Sequence, residues 1–372
     1  MTEAGGSADE AAVEQVITLA RSLQLRLPAA GEEAHARASA LLALLEPILV
    51  DTAAPRHDPA GHGPGPGPDP QQLTSMAAEL PAIVRNWCAA TGRSESAFRA
   101  SRTRFLRGHD VAVEFPVRTL VRALHQRLRD VGAIDRDRKV SLVWTDGRPS
   151  MTLPIRIPGW TAVALPAQPV VLASQYVHHE FGHVIEVASR PAHWSLLDRW
   201  QVSNLAAETA AMVVEALGRD ERWLRELGIE PRAATQAAGY CTHEDRYNRA
   251  LAALIILCDQ TPVHRRARLV TELTDGLIEA GHPQEEAGRA TYWRTLLAAY
   301  SAADELRQSL IRRYGDRWAD QERAWQRLRG LLRGTGARPR TGQTGRPDHA
   351  GETEQAGQAG QAGQTAGPLV PC

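Results

Sequence analysis

The pentapeptide HEFGH, at 179–183, has the residue types and the spacing of a catalytic metal site. On an α-helix, His179 and His183 lie on one face about one turn apart, so both imidazoles can reach a single ion. Glu180 then lies beside that ion, where it can take a proton from the water that the ion activates and pass it to a leaving amine. The motif therefore predicts zinc-dependent hydrolysis.

A hydrolytic zinc site needs a third protein ligand and an open position for water. Glu208 lies in the run NLAAETAAMVVEAL, where alanine, methionine and valine surround it. Because a carboxylate on an apolar helix face needs a partner, we expect Glu208 to be this ligand. The predicted cofactor is Zn²⁺, although the same donors also suit manganese or cobalt.

The order of these residues resembles the thimet oligopeptidase and oligoendopeptidase family of gluzincin zinc peptidases. That family shares HEFGH and has a ligand glutamate at a similar separation, which opens a motif E-x-P-S-Q-x-x-E; here Glu208 and Glu215 stand at its two ends. The resemblance covers about 40 residues, 176–217. It implies a zinc peptidase that cleaves oligopeptides, with Glu180 as the general base.

The sequence departs from the family pattern beside the ligands. Ala210, Ala211 and Met212 replace Pro-Ser-Gln, and Glu186 replaces a histidine that is common three residues after the second ligand. The chain is also shorter than typical members of the family. These changes leave the ligands and the base in place, and they predict different contacts around the metal.

In the family that the sequence resembles, histidine and tyrosine side chains on a downstream helix donate hydrogen bonds to the oxyanion that forms during hydrolysis. The corresponding segment here is GYCTHEDRYNRALAALIILCD, which contains Tyr240, His243 and Tyr247. We expect Tyr247 to be the main donor, because it begins an apolar helix, and His243 to be a second candidate.

Three short β-rich segments precede the HExxH helix, at 140–145, 151–157 and 160–165, and Asp-Gly and Pro-Gly turns separate them. They predict a small antiparallel sheet, in which one of the last two strands would pair with extended substrate backbone. The residues after 169 have helical periodicity. The predicted fold class is therefore mostly α, a helical zincin-like metallopeptidase fold with one small antiparallel β-sheet before the metal-binding helix.

Composition divides the chain into four parts. Residues 1–54 predict an N-terminal helical segment, and residues 55–70, rich in Gly and Pro, predict a linker or loop. Residues 71–333 would form the catalytic domain. Residues 334–372 contain few apolar side chains and repeat GQAG, so we expect a disordered tail.

The charges of the chain balance, with 43 Lys and Arg against 43 Asp and Glu among 372 residues. This excludes a basic nucleic-acid binder. The longest apolar run, 250–258, is too short to cross a bilayer, and the N-terminus lacks the features of a secretory signal. Four cysteines without CxxC spacing indicate reduced thiols. We therefore expect a cytoplasmic protein whose partner is a peptide substrate, with no nucleic acid and no membrane; the sequence predicts no oligomeric state.

Three alternatives stay open. A related zinc metallocarboxypeptidase would use the same ligands and differ in its products. A di-iron carboxylate bundle would combine Glu180-x-x-His183 with Glu32-x-x-His35, although a small sheet has no place in a simple bundle. A catalytically silent helical interaction protein is the third, and the joint presence of the ligands and Glu180 argues against it.

Overall fold

In the computed structural model, secondary structure and contacts are described for residues 69–100, 115–145, 150–166, 168, 170–195, 199–200, 204–279 and 281–336. These residues belong to one unit, Met1–Ala337, and a second unit, Arg338–Cys372, lies outside them. The helical segment predicted at 1–54, nearly all of the linker at 55–70 and the tail beyond 336 also lie outside the described residues.

Helices make up most of the described chain. The helices before the sheet are α1 (Pro70–Ala78), α2 (Leu80–Thr91), α3 (Glu95–Ala100) and α4 (Val117–Asp130). Those after it are α5 (Ala173–Ser189), α6 (Asn204–Glu215), α7 (Glu221–Glu226), α8 (Pro231–Gln260), α9 (Val263–Thr274), α10 (Gly281–Glu286), α11 (Ala290–Tyr314) and α12 (Glu322–Gly336). Short 3-10 turns lie at Ala216–Arg219, Ala287–Arg289 and Trp318–Asp320. The prediction of a mostly α fold is confirmed.

The long helix α8 begins at a side-chain cap. The carboxylate of Glu230 accepts hydrogen bonds from the backbone N–H groups of Arg232 and Ala233, each at 3.0 Å. Pro231 occupies the first helical position, where its missing N–H costs nothing. No helix in the described part of the chain, including the 30-residue α8, is long and apolar enough to cross a bilayer.

The sheet contains β1 (Lys139–Thr145), β2 (Met151–Arg156) and β3 (Trp160–Pro166), in the order β1-β3-β2. β3 pairs with β2 in the antiparallel direction and with β1 in the parallel direction. The sheet is therefore mixed, which corrects the prediction of a purely antiparallel sheet in this respect.

Burial and proline explain the strand order. β3 lies in the middle, and its residues from Thr161 to Leu165 are buried. β2 contains Pro154, which has no backbone N–H to donate and is therefore favoured on an edge strand. β1 pairs with the other side of β3. These two strands are parallel, and parallel neighbours need a long connection; here the chain between them contains β2.

The helix α5 lies at the centre of the packing. α6 packs most extensively against it, and β2, β3, α4 and α12 contact it as well. Of its 17 residues, 14 are buried. The polar side chains of α5 must therefore find partners inside the protein, because a buried polar group without a partner costs free energy.

Candidate metal centre

The helices α5 and α6 approach each other closely at Gly182. A Cβ atom added there would lie 2.4 Å from the Cα atom of Ala211 and 2.9 Å from the carbonyl oxygen of Ala210. Glycine is needed for this approach, and the small side chains of α6 complete it. Because Glu208 lies one turn before the crossing point, the crossing brings it beside the histidines of α5.

His179, His183 and Glu208 form a cluster with the composition of a metal site. One ligand atom from each residue lies within 4.8 Å of the other two. Nε2 of His179 lies 3.6 Å from Oε2 of Glu208, and the two imidazole rings meet edge to face with their centroids 4.8 Å apart. The structure thus brings together the three residues that the sequence predicts as metal ligands.

The donor set and its spacing fit a zinc ion. Zinc lies about 2.0–2.2 Å from imidazole nitrogen and carboxylate oxygen, so tetrahedral ligand atoms are about 3.4 Å apart. Nε2 of His179 and Oε2 of Glu208, 3.6 Å apart, are close to this separation, and the other ligand atoms lie within 4.8 Å of one another. Two imidazoles and one carboxylate leave a fourth position for water, as in catalytic zinc sites.

Glu215 orients His179 through the nitrogen that does not face Glu208. Its Oε2 accepts a hydrogen bond from Nδ1 of His179 at 2.8 Å, and its Oε1 accepts one from Nε2 of Gln175 at 2.8 Å. A carboxylate in this position fixes the tautomer that leaves Nε2 free for a metal. In the sequence, Glu215 is the last residue of the family-like pattern, and the structure gives it this contact.

The charges around the cluster favour a cation. Burial lowers the pKa of His179, but the hydrogen bond and charge of Glu215 and the charges of two further carboxylates outweigh this and raise it to about 9. Burial, with the positive charge of His179, lowers the pKa of His183 to about 3. Burial also raises the pKa of Glu208. His183 is therefore neutral, as a metal ligand must be, whereas a metal would have to replace the proton that the carboxylates favour on His179.

Glu180 lines a pocket of about 290 Å³ beside these ligands. Residues of β2 and the side chain of His183 also line this pocket. The hydroxyl of Thr152, on β2, lies 2.7 Å from Oε2 of Glu180 and 3.0 Å from its carbonyl oxygen. The predicted base therefore lies between the metal ligands and the edge strand.

An ion pair on α5 lines the same pocket. Nε and Nη2 of Arg190 donate to the carboxylate of Glu186 at 2.9 and 2.5 Å, and Nη1 donates to the carbonyl oxygen of Arg199 at 2.6 Å. Both members of the pair are buried. Glu186, which stands where the resembling family has a histidine, is thus paired with the residue that follows the end of its own helix.

His178, the neighbour of the first ligand, belongs to the core. Its Nδ1 donates to the carbonyl oxygen of Ser174 at 2.5 Å, and its Nε2 accepts a hydrogen bond from Nε1 of Trp223 at 3.1 Å. Burial lowers the pKa of His178 to about 4. The residue therefore stays neutral and ties α5 to α7.

Tyr247 and His243, the expected oxyanion donors, make aromatic contacts with neighbouring helices. Tyr247 is fully buried, and its ring centroid lies 6.1 Å from that of Trp87 and 6.0 Å from that of Phe98. His243 stacks on Trp87 at 6.0 Å. This face of α8 meets aromatic residues of α2 and α3, and a role of either side chain at the oxyanion stays a prediction from the sequence.

Tyr292, near the start of α11, is a tyrosine that the sequence analysis did not single out. Burial raises the pKa of its phenol, and the nearby carboxylate of Glu208 raises it further. The residue is 41% exposed, so a substrate can reach it. Tyr292 follows Glu208 by 84 residues, and only the packing of α11 against α6 places the two near each other.

No model of a known protein family matches the sequence, and no curated protein matches it. Two solved structures are similar in overall fold. The Trypanosoma cruzi metallocarboxypeptidase 1 has a TM-score of 0.49 and 14% identity, over 89% of this chain and 74% of that one. The M32 carboxypeptidase from Deinococcus radiodurans R1 has a TM-score of 0.46 and 16% identity over the same shares. The resemblance to the oligopeptidase family stays a prediction from the motif.

Proposed function

We propose that the protein is a zinc-dependent peptidase that hydrolyses peptide bonds in oligopeptides. The observation that supports this most is the meeting of His179, His183 and Glu208, with the carboxylate of Glu180 in the adjoining pocket. A catalytically silent scaffold has no need to place a second helix's carboxylate there, since removing that carboxylate from water costs free energy. The arrangement therefore favours an enzyme.

The part of each residue follows from its position. The two histidines and Glu208 would bind Zn²⁺, which when bound supplies Lewis-acid activation of water and of the scissile carbonyl. Glu180 takes a proton from the attacking water and passes it to the leaving amine. Glu215 keeps His179 in the tautomer and orientation that binding requires.

We propose Tyr292, in place of Tyr247, as the hydrogen-bond donor to the oxyanion. The charge of the Glu208 carboxylate acts on its phenol, the two helices that carry these residues pack together, and Tyr292 is partly exposed to solvent. The raised pKa keeps the hydroxyl protonated at neutral pH, so it remains a donor while negative charge develops on the substrate oxygen.

An extended oligopeptide is the proposed substrate. β2 is an edge strand, and its residues Met151, Thr152 and Pro154 line the pocket that contains Glu180. An edge strand binds extended peptide backbone by strand addition. The pocket, at about 290 Å³, is close to the lower limit of the roughly 300–1,000 Å³ of sites that enclose a whole small molecule, so it would hold only part of an extended peptide.

The test is cleavage of a mixed library of quenched oligopeptides by the zinc-loaded protein. We expect the wild-type protein to release fragments, a chelator to stop the reaction and added zinc to restore it. Glu180→Gln should lower the rate by about 10²–10⁴-fold, the usual contribution of a general base. Glu305→Gln, a matched change at an exposed position of α11, should leave the rate unchanged.

Mass spectrometry of the fragments separates the two modes of peptidase action. Cleavage within the peptides would identify an oligopeptidase, and stepwise loss of the last residue would identify the carboxypeptidase alternative. A Glu180→Gln variant as active as wild type, or a zinc-loaded wild type that cleaves no peptide, would contradict the proposed function.

A further inference from the structure

The hydroxyl of Thr152 contacts the predicted base at two points. It lies 2.7 Å from Oε2 of Glu180, a short distance typical of a hydrogen bond to a carboxylate. It also lies 3.0 Å from the carbonyl oxygen of the same residue. Thr152 belongs to β2 and Glu180 to α5, so the contact joins two separate elements beside the metal ligands.

The two oxygens of the Glu180 carboxylate therefore differ. Oε2 accepts the hydrogen bond from Thr152, whereas Oε1 has no hydrogen-bond partner within the described part of the chain. A glutamate side chain has three rotatable bonds, and its carboxylate turns freely unless something holds it. Here one oxygen is held, and the other is left for the reaction.

We propose that Thr152 is a positioning residue that fixes Oε2 of Glu180, so that Oε1 is the oxygen that exchanges the proton. The inference rests on the proposed peptidase function. During hydrolysis, Oε1 would gain a proton from the attacking water and lose it to the nitrogen of the leaving amine, which restores the carboxylate. Oε2 accepts from Thr152 throughout, and Thr152 keeps its own proton.

The single proton of the Thr152 hydroxyl has two acceptors within reach. It goes to Oε2 of Glu180, at the shorter distance of 2.7 Å, and the carbonyl oxygen at 3.0 Å is the weaker acceptor. Valine has the same shape but no hydroxyl, so it would leave the strand unchanged and remove the hydrogen bond to the Glu180 carboxylate. Serine would keep the hydroxyl.

The test compares Thr152→Val and Thr152→Ser in the zinc-loaded, full-length protein. We expect the valine variant to lose at least tenfold in kcat with KM within twofold of wild type and an unchanged zinc content. The serine variant should keep at least half of the wild-type kcat. Thr145→Val, the same change on β1 of the same sheet, should behave as wild type.

Crystal structures of the same variants give a readout that does not depend on activity. The Glu180 carboxylate should hold one position in the wild-type and serine proteins and leave it in the valine variant. A valine variant with wild-type kcat, a serine variant as slow as valine, or a carboxylate that stays in place without the hydroxyl would each overturn the inference. A wild-type protein that cleaves no peptide would contradict the proposed function. The crystal structures would then still test whether Thr152 holds the Glu180 carboxylate in place.

Discussion

Among single residues, Tyr292 separates the proposed mechanism most clearly from the one expected from the sequence. If its hydroxyl stabilises the oxyanion, Tyr292→Phe should lower kcat by about 10²–10³-fold, the usual cost of removing such a donor. Zinc content should stay the same, because Tyr292 is not a ligand. Steady-state kinetics with a quenched peptide measure the effect. Tyr314→Phe, at the other end of α11, is the control, and a kcat within twofold of wild type in Tyr292→Phe would refute the assignment.

Glu244, on α8, should make the free energy of unfolding depend on pH. Its burial, with the negative charge of Glu215, raises its pKa to about 8, whereas an unfolded glutamate titrates near pH ~4.3. Between these values the folded chain holds a proton that the unfolded chain has lost, so the free energy of unfolding falls as pH rises, by up to about 1.4 kcal/mol per pH unit. Glu244→Gln removes this loss and keeps the oxygen that accepts from Asn248.

Urea denaturation at pH 5 and pH 8 measures this effect. The free energy of unfolding of Glu244→Gln, relative to that of wild type, should be higher at pH 8 than at pH 5. Glu305→Gln changes an exposed carboxylate and should show no such difference between the two pH values. A Glu244→Gln variant that follows the wild-type pH dependence would show that this carboxyl group is ionised in the folded protein at neutral pH.

The residues of the site differ in how far the sequence reveals them. His179, Glu180 and His183 are fixed relative to one another by helix geometry, so their spacing is enough to predict them. Glu208 was predictable because a carboxylate among apolar residues needs a partner. The proposed donor Tyr292 was not, since nothing in its local sequence records which helix it will face.

At the scale of elements, the crossing of α5 and α6 positions the whole site. Gly182→Ala would place a Cβ atom 2.4 Å from the backbone of α6, so the helices must move apart. We expect a loss of about 1–3 kcal/mol in the free energy of unfolding. Zinc affinity should fall too, because Glu208 moves away from the histidines.

Thermal denaturation and zinc titration measure both effects of Gly182→Ala. Gly239→Ala is the matched control, because Gly239 lies inside α8 with no atom within 4 Å of an added Cβ. That change should raise the stability by roughly 0.5–1 kcal/mol. Equal behaviour of the two variants would show that the close approach at Gly182 is unimportant.

The sheet shows where element-level prediction stops. Short β-rich runs and turn residues predicted the three strands close to their positions, because both signals are local. The pairing of β1 with β3 was missed, since it depends on burying the most apolar strand in the middle and leaving Pro154 on the edge. The Asp-Gly turn after β1 suggested a hairpin that does not form.

At the scale of the whole molecule, helical periodicity predicted the fold class, because amphipathic helices carry their burial pattern in the sequence. The packing order of the helices could not be predicted in the same way. The face of α8 that carries Tyr247 is apolar and aromatic, and whether such a face meets a substrate or another helix is decided by its neighbours.

Zinc binding should also stabilise the whole molecule. A ligand that binds only the folded state adds about 2.7 kcal/mol at 100 times its Kd, which corresponds to a rise in Tm of roughly 5 °C for a domain of this size. Differential scanning calorimetry with and without zinc measures this shift. Glu208→Ala should abolish it, and a shift that survives in this variant would place the metal elsewhere.

The most direct measurement of the central claim is the zinc content of the purified wild-type, Glu180→Gln and Glu208→Ala proteins, determined by elemental analysis beside their peptidase activity. We predict about one zinc per chain in wild type, the same zinc content without activity in Glu180→Gln, and loss of both in Glu208→Ala. A wild-type protein that binds no zinc under saturating conditions, or a Glu208→Ala variant that keeps its metal, would contradict the account.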